Sequence, residues 1–331
     1  MKIEKAAEGS GSLEYALIDA IKEWTGSGYI GDDCAVLPGQ ELVSTDTLVE
    51  GVHFKLETTG LFDLGFKAVA VNLSDIAAMA GRPRFLLVSV SWPEGLPFSA
   101  LEELYLGMNE CARSYRCRVA GGDFTGGPVL SITVTVLGTT HEDGCLLRST
   151  AAPGDVLVVT GDFGASRAGF ESLGAGWDDF HYCINRHRKP LPRLCESWAL
   201  VRKIGNRGAL MDASDGLADA LFQIARDSDV HMEVELSKVP VHHETVAAAR
   251  RAAADPLDWA LYGGEDYELV GCLGEETWRQ CQKDLPFVAI GRTVARPAGA
   301  EAGVELLDHG RTRGRVDMSR AFQHVHLPVD R

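Results

Sequence analysis

The sequence predicts two α+β domains, and three observations lead there. Strand and helix patterns are interleaved without the strict βαβ alternation of one doubly wound sheet. At 331 residues the chain is longer than a single core usually serves. The turn-rich segment RSTAAPGD (148–155) separates two strand patterns, which sets the expected boundary between residues 1–148 and 149–331.

The elements follow in order. Leu13, Ala16, Leu17, Ala20, Ile21 and Trp24 recur at helical spacing, so 12–24 reads as an amphipathic helix. In GDDCAVLPGQELVSTDTL (31–48) two short apolar runs flank the turn residues PGQ, the pattern of a hairpin. FDLGFKAVAVNLSDIAAMA (62–80) is a long apolar helix stopped by Gly81 and Pro83. FLLVSVSW (85–92) reads as a buried strand and 98–115 as another helix. RVAGGDFTGGP (118–128) is a strand running into a glycine loop, and VLSITVTVLG (129–138) a strand with β-branched alternation. Past the boundary, DVLVVTG is a strand and several helices occupy 163–204. ALMDASDG (209–216) is a short strand entering a loop, ahead of the helix LADALFQIARDS. VHMEVEL, YELVGCL, FVAIGRTV and GVELLD supply further strands, with helices at about 241–263 and 275–284.

Composition narrows the function. A net charge of −15 argues against a nucleic-acid partner or an anionic membrane surface. Any phosphate substrate then needs metal ions or local cations to admit it. The eight cysteines form no CxxC and no zinc-like spacing with histidine, so they read as small buried hydrophobes of a reducing compartment. MKIEKAAEGSGS lacks an apolar signal core and no membrane-length apolar run exists, so a cytoplasmic protein is expected.

Two familiar motifs mislead. GSGYIG (26–31) matches G-x-G-x-x-G but follows a helix and precedes a strand, the reverse of a dinucleotide site. GDFG (161–164) has no HRD loop or VAIK lysine beside it. A P-loop is absent, since none of the nine lysines follows a glycine.

The informative pattern is acidic. GDD (Asp32, Asp33), STD (Asp46), LSD (Asp75), GGD (Asp123) and MDASDG (Asp212, Asp215) each set aspartate beside glycine or serine at the edge of an apolar element. One such pair is ordinarily a cap or a turn. Asp75, however, lies inside an apolar helix where a lone carboxylate is costly. Asp123 has four glycines around it, more freedom than a cap requires. Hard divalent cations such as Mg²⁺ take carboxylate and hydroxyl oxygens beside substrate phosphates. Ser44, Thr45 and Asp46, and Ser214 with Asp215, offer that set. Paired general acid/base carboxylates would use only two of these acids.

GDDCAVL, STDTLVEGVHF, KAVAVNLSDIAAMAG, GGDFTGGP, SDGLADAL and GGEDYEL, in this order, resemble the thiamine-monophosphate kinase family over about residues 12–295. That family belongs with the ATP-binding enzymes that include aminoimidazole ribonucleotide synthetase and selenophosphate synthetase. The resemblance implies an N-terminal α+β domain whose sheet pairs across a homodimer, and a C-terminal α/β domain. It also implies ATP-dependent phosphorylation of thiamine monophosphate to the diphosphate, the last step of that cofactor's synthesis, with several Mg²⁺ ions. Carried over motif by motif, Asp33, Ser44, Thr45, Asp46, Asp75, Asp123, Asp212 and Asp215 fall on metal positions. Tyr105, Gly122, Asp123, Arg148 and Ser214 fall on nucleotide positions. His53 and Glu265 fall on substrate positions, and Phe322, before His324, corresponds to an aromatic the family carries near its C-terminus. Asp266 is expected to cap the turn into YELVGCL.

The alternatives are a sister synthetase of the same fold and a non-catalytic scaffold. A reactive N-terminal cysteine is missing from Met1–Gly31, and a decayed enzyme has no reason to keep seven aspartates. In the kinase reading the nucleophile is a phosphate monoester oxygen, mostly ionised above its second pKa of about 6. It needs no general base, so direct transfer without a phosphoenzyme is expected.

Overall fold

The computed structural model describes residues 13–321 and contains two sheets. The first holds β1 (Ala35–Leu37), β2 (Glu41–Val49), β3 (Arg82–Trp92), β4 (Arg118–Gly126) and β5 (Ser131–Thr139), in the order β1-β2-β5-β3-β4. Every pairing is antiparallel except β3 with β4. Period-two alternation turns Leu42, Leu86, Val88, Val90, Ile132, Val134 and Val136 to one face, where all are buried.

That face is covered by α2 (Leu61–Ala78) and α3 (Phe98–Ser114), which follow α1 (Leu13–Thr25). The two helices touch backbone to backbone. A Cβ on Gly65 would collide with the Leu104 carbonyl, and one on Gly107 with the Phe62 carbonyl. Thirteen residues of α2 are buried, because its other side packs on the second half of the chain. Its core is continuous with Leu194, Leu200, Leu210 and Leu269. An apolar helix with one carboxylate inside it is what such a position demands.

The second sheet runs β12-β11-β8-β10-β6-β9-β7, with β6 (Asp155–Val159), β7 (Ala209–Asp212), β8 (Val230–Glu235), β9 (Leu269–Gly274), β10 (Val288–Ala295), β11 (Gly303–Asp308) and β12 (Arg311–Arg315). Only β8 and β11 pair in parallel. Around it lie α4 (Ala165–Ala175), α5 (His181–Arg188), α6 (Leu194–Ile204), α7 (Leu217–Asp227), α8 (His243–Arg251), α9 (Pro256–Tyr262) and α10 (Glu275–Cys281).

Several boundaries differ from the sequence expectation. The single helix at 241–263 is two, broken where Ala253 adopts φ +54°. β4 runs straight through its glycines rather than ending in a loop. Gly122 must be glycine there, since a Cβ would strike the Val88 carbonyl. YELVGCL becomes a strand only from Leu269, because Tyr267 sits at φ +52°. The polar strand β12 carries no apolar alternation to announce it.

Candidate active site

Helix α2 is the spine of the site. Lys67, Val71 and Asp75 recur at i, i+4 and i+8, so they share one side of the helix. Two neighbours brace the acids: Ser74 Oγ donates to Asp212 Oδ2 at 2.5 Å, and Asn72 Oδ1 accepts from the Asp46 amide at 3.1 Å. Across the junction, β7 ends at Asp212, and the Asp33 loop enters β1. Asp33, Asp75 and Asp212 thus converge, each offering a carboxylate oxygen within 4.8 Å of the others. Ser44 Oγ donates to Asp75 Oδ2 at 2.5 Å.

Arg148 is the cation of this cluster. Its guanidinium donates to Asp33 Oδ1 at 2.7 Å and to Gln223, while its amide donates to Asp32 Oδ1 at 2.8 Å. Burial lifts the Asp33 carboxyl to about 6 in spite of Arg148. Burial, then the charges of Asp46 and Asp212, holds Asp75 well above the carboxylate range. Asp212 is raised by burial and then by Asp33. Oδ2 of Asp33 is buried with no hydrogen-bond partner among the described residues. Three crowded carboxylates, an orphaned oxygen and a hydroxyl, without sulfur or imidazole among them, fit a hard divalent cation.

Two recesses meet at these acids, sharing Asp46, Asp75, Ser214 and Asp215 as a common wall. The first is lined by His53, Arg167, Phe170, His187 and Glu265. The second is lined by Tyr15, Lys22, Asp33, Arg148, Asp212 and Gln223. The loops bearing Asp215 and Glu265 are zipped by backbone bonds from Glu265 to Ser214 (2.5 Å), Tyr267 to Ala213 (3.2 Å) and Ala213 to Glu268 (2.8 Å). Glu265 adopts φ +58° after Gly263 and Gly264, and its carboxylate meets Lys67 Nζ at 2.9 Å. In the first recess His53 Nδ1 accepts from the Val49 amide at 3.1 Å, which leaves the neutral ring's proton on Nε2. Asp266 differs from expectation: it accepts from the amides of Gly164 (2.6 Å) and Ser166 (3.0 Å), capping α4 rather than the turn into β9. The GDFG segment is therefore the entry to α4.

The remaining sequence candidates lie apart. Thr45 Oγ1 bonds Val134 O at 3.1 Å and Thr135 Oγ1 at 3.0 Å, on the open face of the first sheet, away from Asp46. Asp123 is in register with Ser89, Thr133 and Thr47, on that same open face and three strands from β2. Neither recess is lined by any residue of β4 or α3, which carry Gly122, Asp123 and Tyr105. Phe322 lies outside the described residues.

Residues 31–140 match the family described as AIR synthase related protein, N-terminal domain. The thiamine-monophosphate kinase of Bacillus subtilis (strain 168) is 40% identical over 278 residues, covering 79% of this chain and 84% of the relative. The chain belongs to the thiamine-monophosphate kinase family. A solved structure of AaThiL complexed with AMPPCP and TMP superposes with a TM-score of 0.82 at 32% identity, covering 94% of this chain and 97% of that one. The thiamine monophosphate kinase of Aquifex aeolicus gives 0.79 at 33% identity, covering 90% and 96%. Within the family's motifs the structure adds residues that sequence reasoning passed over. Lys67 and Asn72 sit inside KAVAVNLSD, and Ser74 directly before Asp75. His187 and Gln223 belong to no motif, and only the fold brings them to the recesses.

Proposed function

We propose that the protein transfers the terminal phosphoryl group of ATP to thiamine monophosphate, giving thiamine diphosphate and ADP. The observation that carries this reading is the pair of recesses sharing one acidic wall, the arrangement a donor and an acceptor phosphate require. The relative AaThiL, in complex with AMPPCP (an ATP analogue that resists hydrolysis) and TMP, supports it.

Asp33, Asp46, Asp75, Asp212 and Asp215, with Ser44, are the residues that would hold Mg²⁺. Bound there, such ions neutralise phosphate oxygens and favour in-line transfer. Arg148 and Ser214 serve the nucleotide in the second recess. In the first, His53 Nε2–H donates to the acceptor phosphate, and Glu265 and Phe170 meet the thiamine. With Nδ1 accepting from the Val49 amide and the neutral ring's proton on Nε2, His53 is set to donate to the phosphate rather than to act as a general base. The acceptor oxygen, ionised above about pH 6, attacks unaided.

Thr45, Gly122, Asp123 and Tyr105 join the reading through a homodimer. Across β2, β5 and β3 the open face of the first sheet presents Val43, Leu137, Phe85, Thr45, Thr135, Leu87, Thr47 and Thr133, and Asp123 adds a charge only at the β4 margin of that run. Phe85 and Leu87 are 42% and 44% exposed. A sheet face whose middle strands carry exposed apolar and threonine side chains, with Asp123 at its β4 margin, suits a second copy.

The test is turnover with two acceptors. Thiamine monophosphate with ATP and Mg²⁺ gives thiamine diphosphate, and the rate rises through about pH 6 and then flattens. Free thiamine, a neutral hydroxyl, is not phosphorylated. His53→Asn weakens substrate binding and keeps the shape of the pH profile. A His53→Asn enzyme that has lost its pH dependence makes His53 a base and overturns the mechanism.

A further inference from the structure

Lys67 is among the largest fully buried side chains, 1% exposed in the middle of α2. A buried ammonium is costly unless it is paired and fixed. Its carboxylate comes from the other half of the chain: Nζ meets Glu265 Oε1 at 2.9 Å. The second oxygen, Oε2, faces His187 Nδ1 at 3.4 Å, and Ser166 Oγ lies 3.0 Å from that nitrogen. Burial, then Lys67, pushes His187 down to about 3, so the ring is neutral and adds no second cation. Glu265 keeps 28% side-chain exposure and lines the first recess, whereas Lys67 does not line it. The lysine therefore stands behind the glutamate. A left-handed φ at Glu265 and its backbone bond to Ser214 fix the carboxylate from the other side.

We propose that Lys67 is a positioning residue that holds Glu265 as a fixed, charge-neutralised acceptor selecting the amino group of the substrate's pyrimidine ring. The inference rests on the reading of the first recess as the thiamine site. A carboxylate already matched by an ammonium gives little net attraction to the thiazolium cation. What it retains is hydrogen-bond acceptance in a confined place. A site built to accept from an N–H discriminates strongly against an analogue lacking it, because the buried acceptor is then left unpaired. Burial raises the Glu265 carboxyl, and the charge and hydrogen bond of Lys67, with His187 and His53 beside it, hold it below its ordinary value.

Calorimetric binding of thiamine monophosphate and of its analogue lacking the amino group, alongside turnover, decides it. The wild-type protein should prefer the natural compound by about 100-fold or more. Lys67→Met should cut that preference below about 10-fold, raising KM while leaving kcat within about 3-fold. Glu265→Gln should cut the preference as far, and the double variant Lys67→Met/Glu265→Gln should discriminate no worse than Glu265→Gln alone. The double variant is neutral throughout, so it reports even where the single lysine variant fails to fold. Full preference in Lys67→Met, or losses that add in the double variant, overturns the proposal. A wild-type protein that binds thiamine monophosphate with the expected preference but transfers no phosphate overturns the kinase reading instead.

Discussion

Asp75 shows at the scale of one residue what gathering buried acids does to stability. Its carboxyl is raised because it is buried and faces Asp46 and Asp212, with only a hydroxyl from Ser44 to favour the charge. Unfolded, it titrates near 3.9. Between that value and the raised folded one, the folded state holds more protons than the unfolded state. Stability from this group is therefore lost as pH rises through that window. We expect metal-free Asp75→Asn to melt higher than the wild type at pH 8, the gap closing towards pH 4. Adding Mg²⁺ at pH 8 should raise the wild-type melting temperature and barely move the variant. Turnover of the variant should fall by more than the ~10–100-fold that losing a ligand's supporting partner costs. Equal melting of both metal-free proteins at pH 8 contradicts the account. Asp33, Asp75 and Asp212 were legible in the sequence because an aspartate at the edge of, or inside, an apolar run stands out. Lys67, Ser74 and His187 were not, because the groups that give them meaning are 198, 138 and 78 positions away, at Glu265, Asp212 and Glu265. No local pattern records such pairings.

At the scale of elements, α2 holds the acids because it is clamped on both sides. One clamp is the glycine contact with α3, where each backbone fills the space a Cβ would need. Gly65→Ala should force the helices apart and destabilise the protein by about 1–3 kcal/mol, the usual cost of overpacking. A melt unchanged from wild type would show that α2 and α3 yield without loss. The other clamp is the tether from the second half of the chain, with Lys189 on Asp63 at 2.8 Å and Arg188 on the Thr58 carbonyl at 3.0 Å. Periodicity announced α2 and α3 almost to their ends, since apolar spacing fixes a helix locally. It could not announce that they meet through glycine. It also missed β12, whose residues Arg311–Arg315 pair with β11 through the hairpin at His309 and Gly310, both at positive φ. There the turn, and not the strand, carries the signal.

At the scale of the molecule, Asp123 poses a geometric problem that a second copy would solve. It lies on the open face of the first sheet, in register with Ser89, Thr133 and Thr47. Three strand spacings of about 4.8 Å put it roughly 14 Å from β2, on the opposite side of the sheet from Asp46. It cannot join the acids of its own chain through a packed sheet. If two open faces pack about a two-fold axis, edge strand β4 of one copy comes beside the stretch of β2 that β1 leaves unpaired, residues 44–49, in the other, and Asp123 would serve its neighbour there. Asp46→Asn and Asp123→Asn should each abolish turnover as homodimers while leaving the melt nearly unchanged. Co-refolding the two inactive proteins should then restore activity. A mixed dimer has one site carrying both substitutions and one carrying neither, so random pairing gives half mixed dimers and about a quarter of wild-type activity. Were Asp123 to act within its own chain, every site in every dimer would keep one substitution and the mixture would stay inactive. Mass measurement of the refolded mixture gives the fraction of dimer, so an inactive sample that is dimeric rules out service in trans, and one that stays monomeric rules out the dimer.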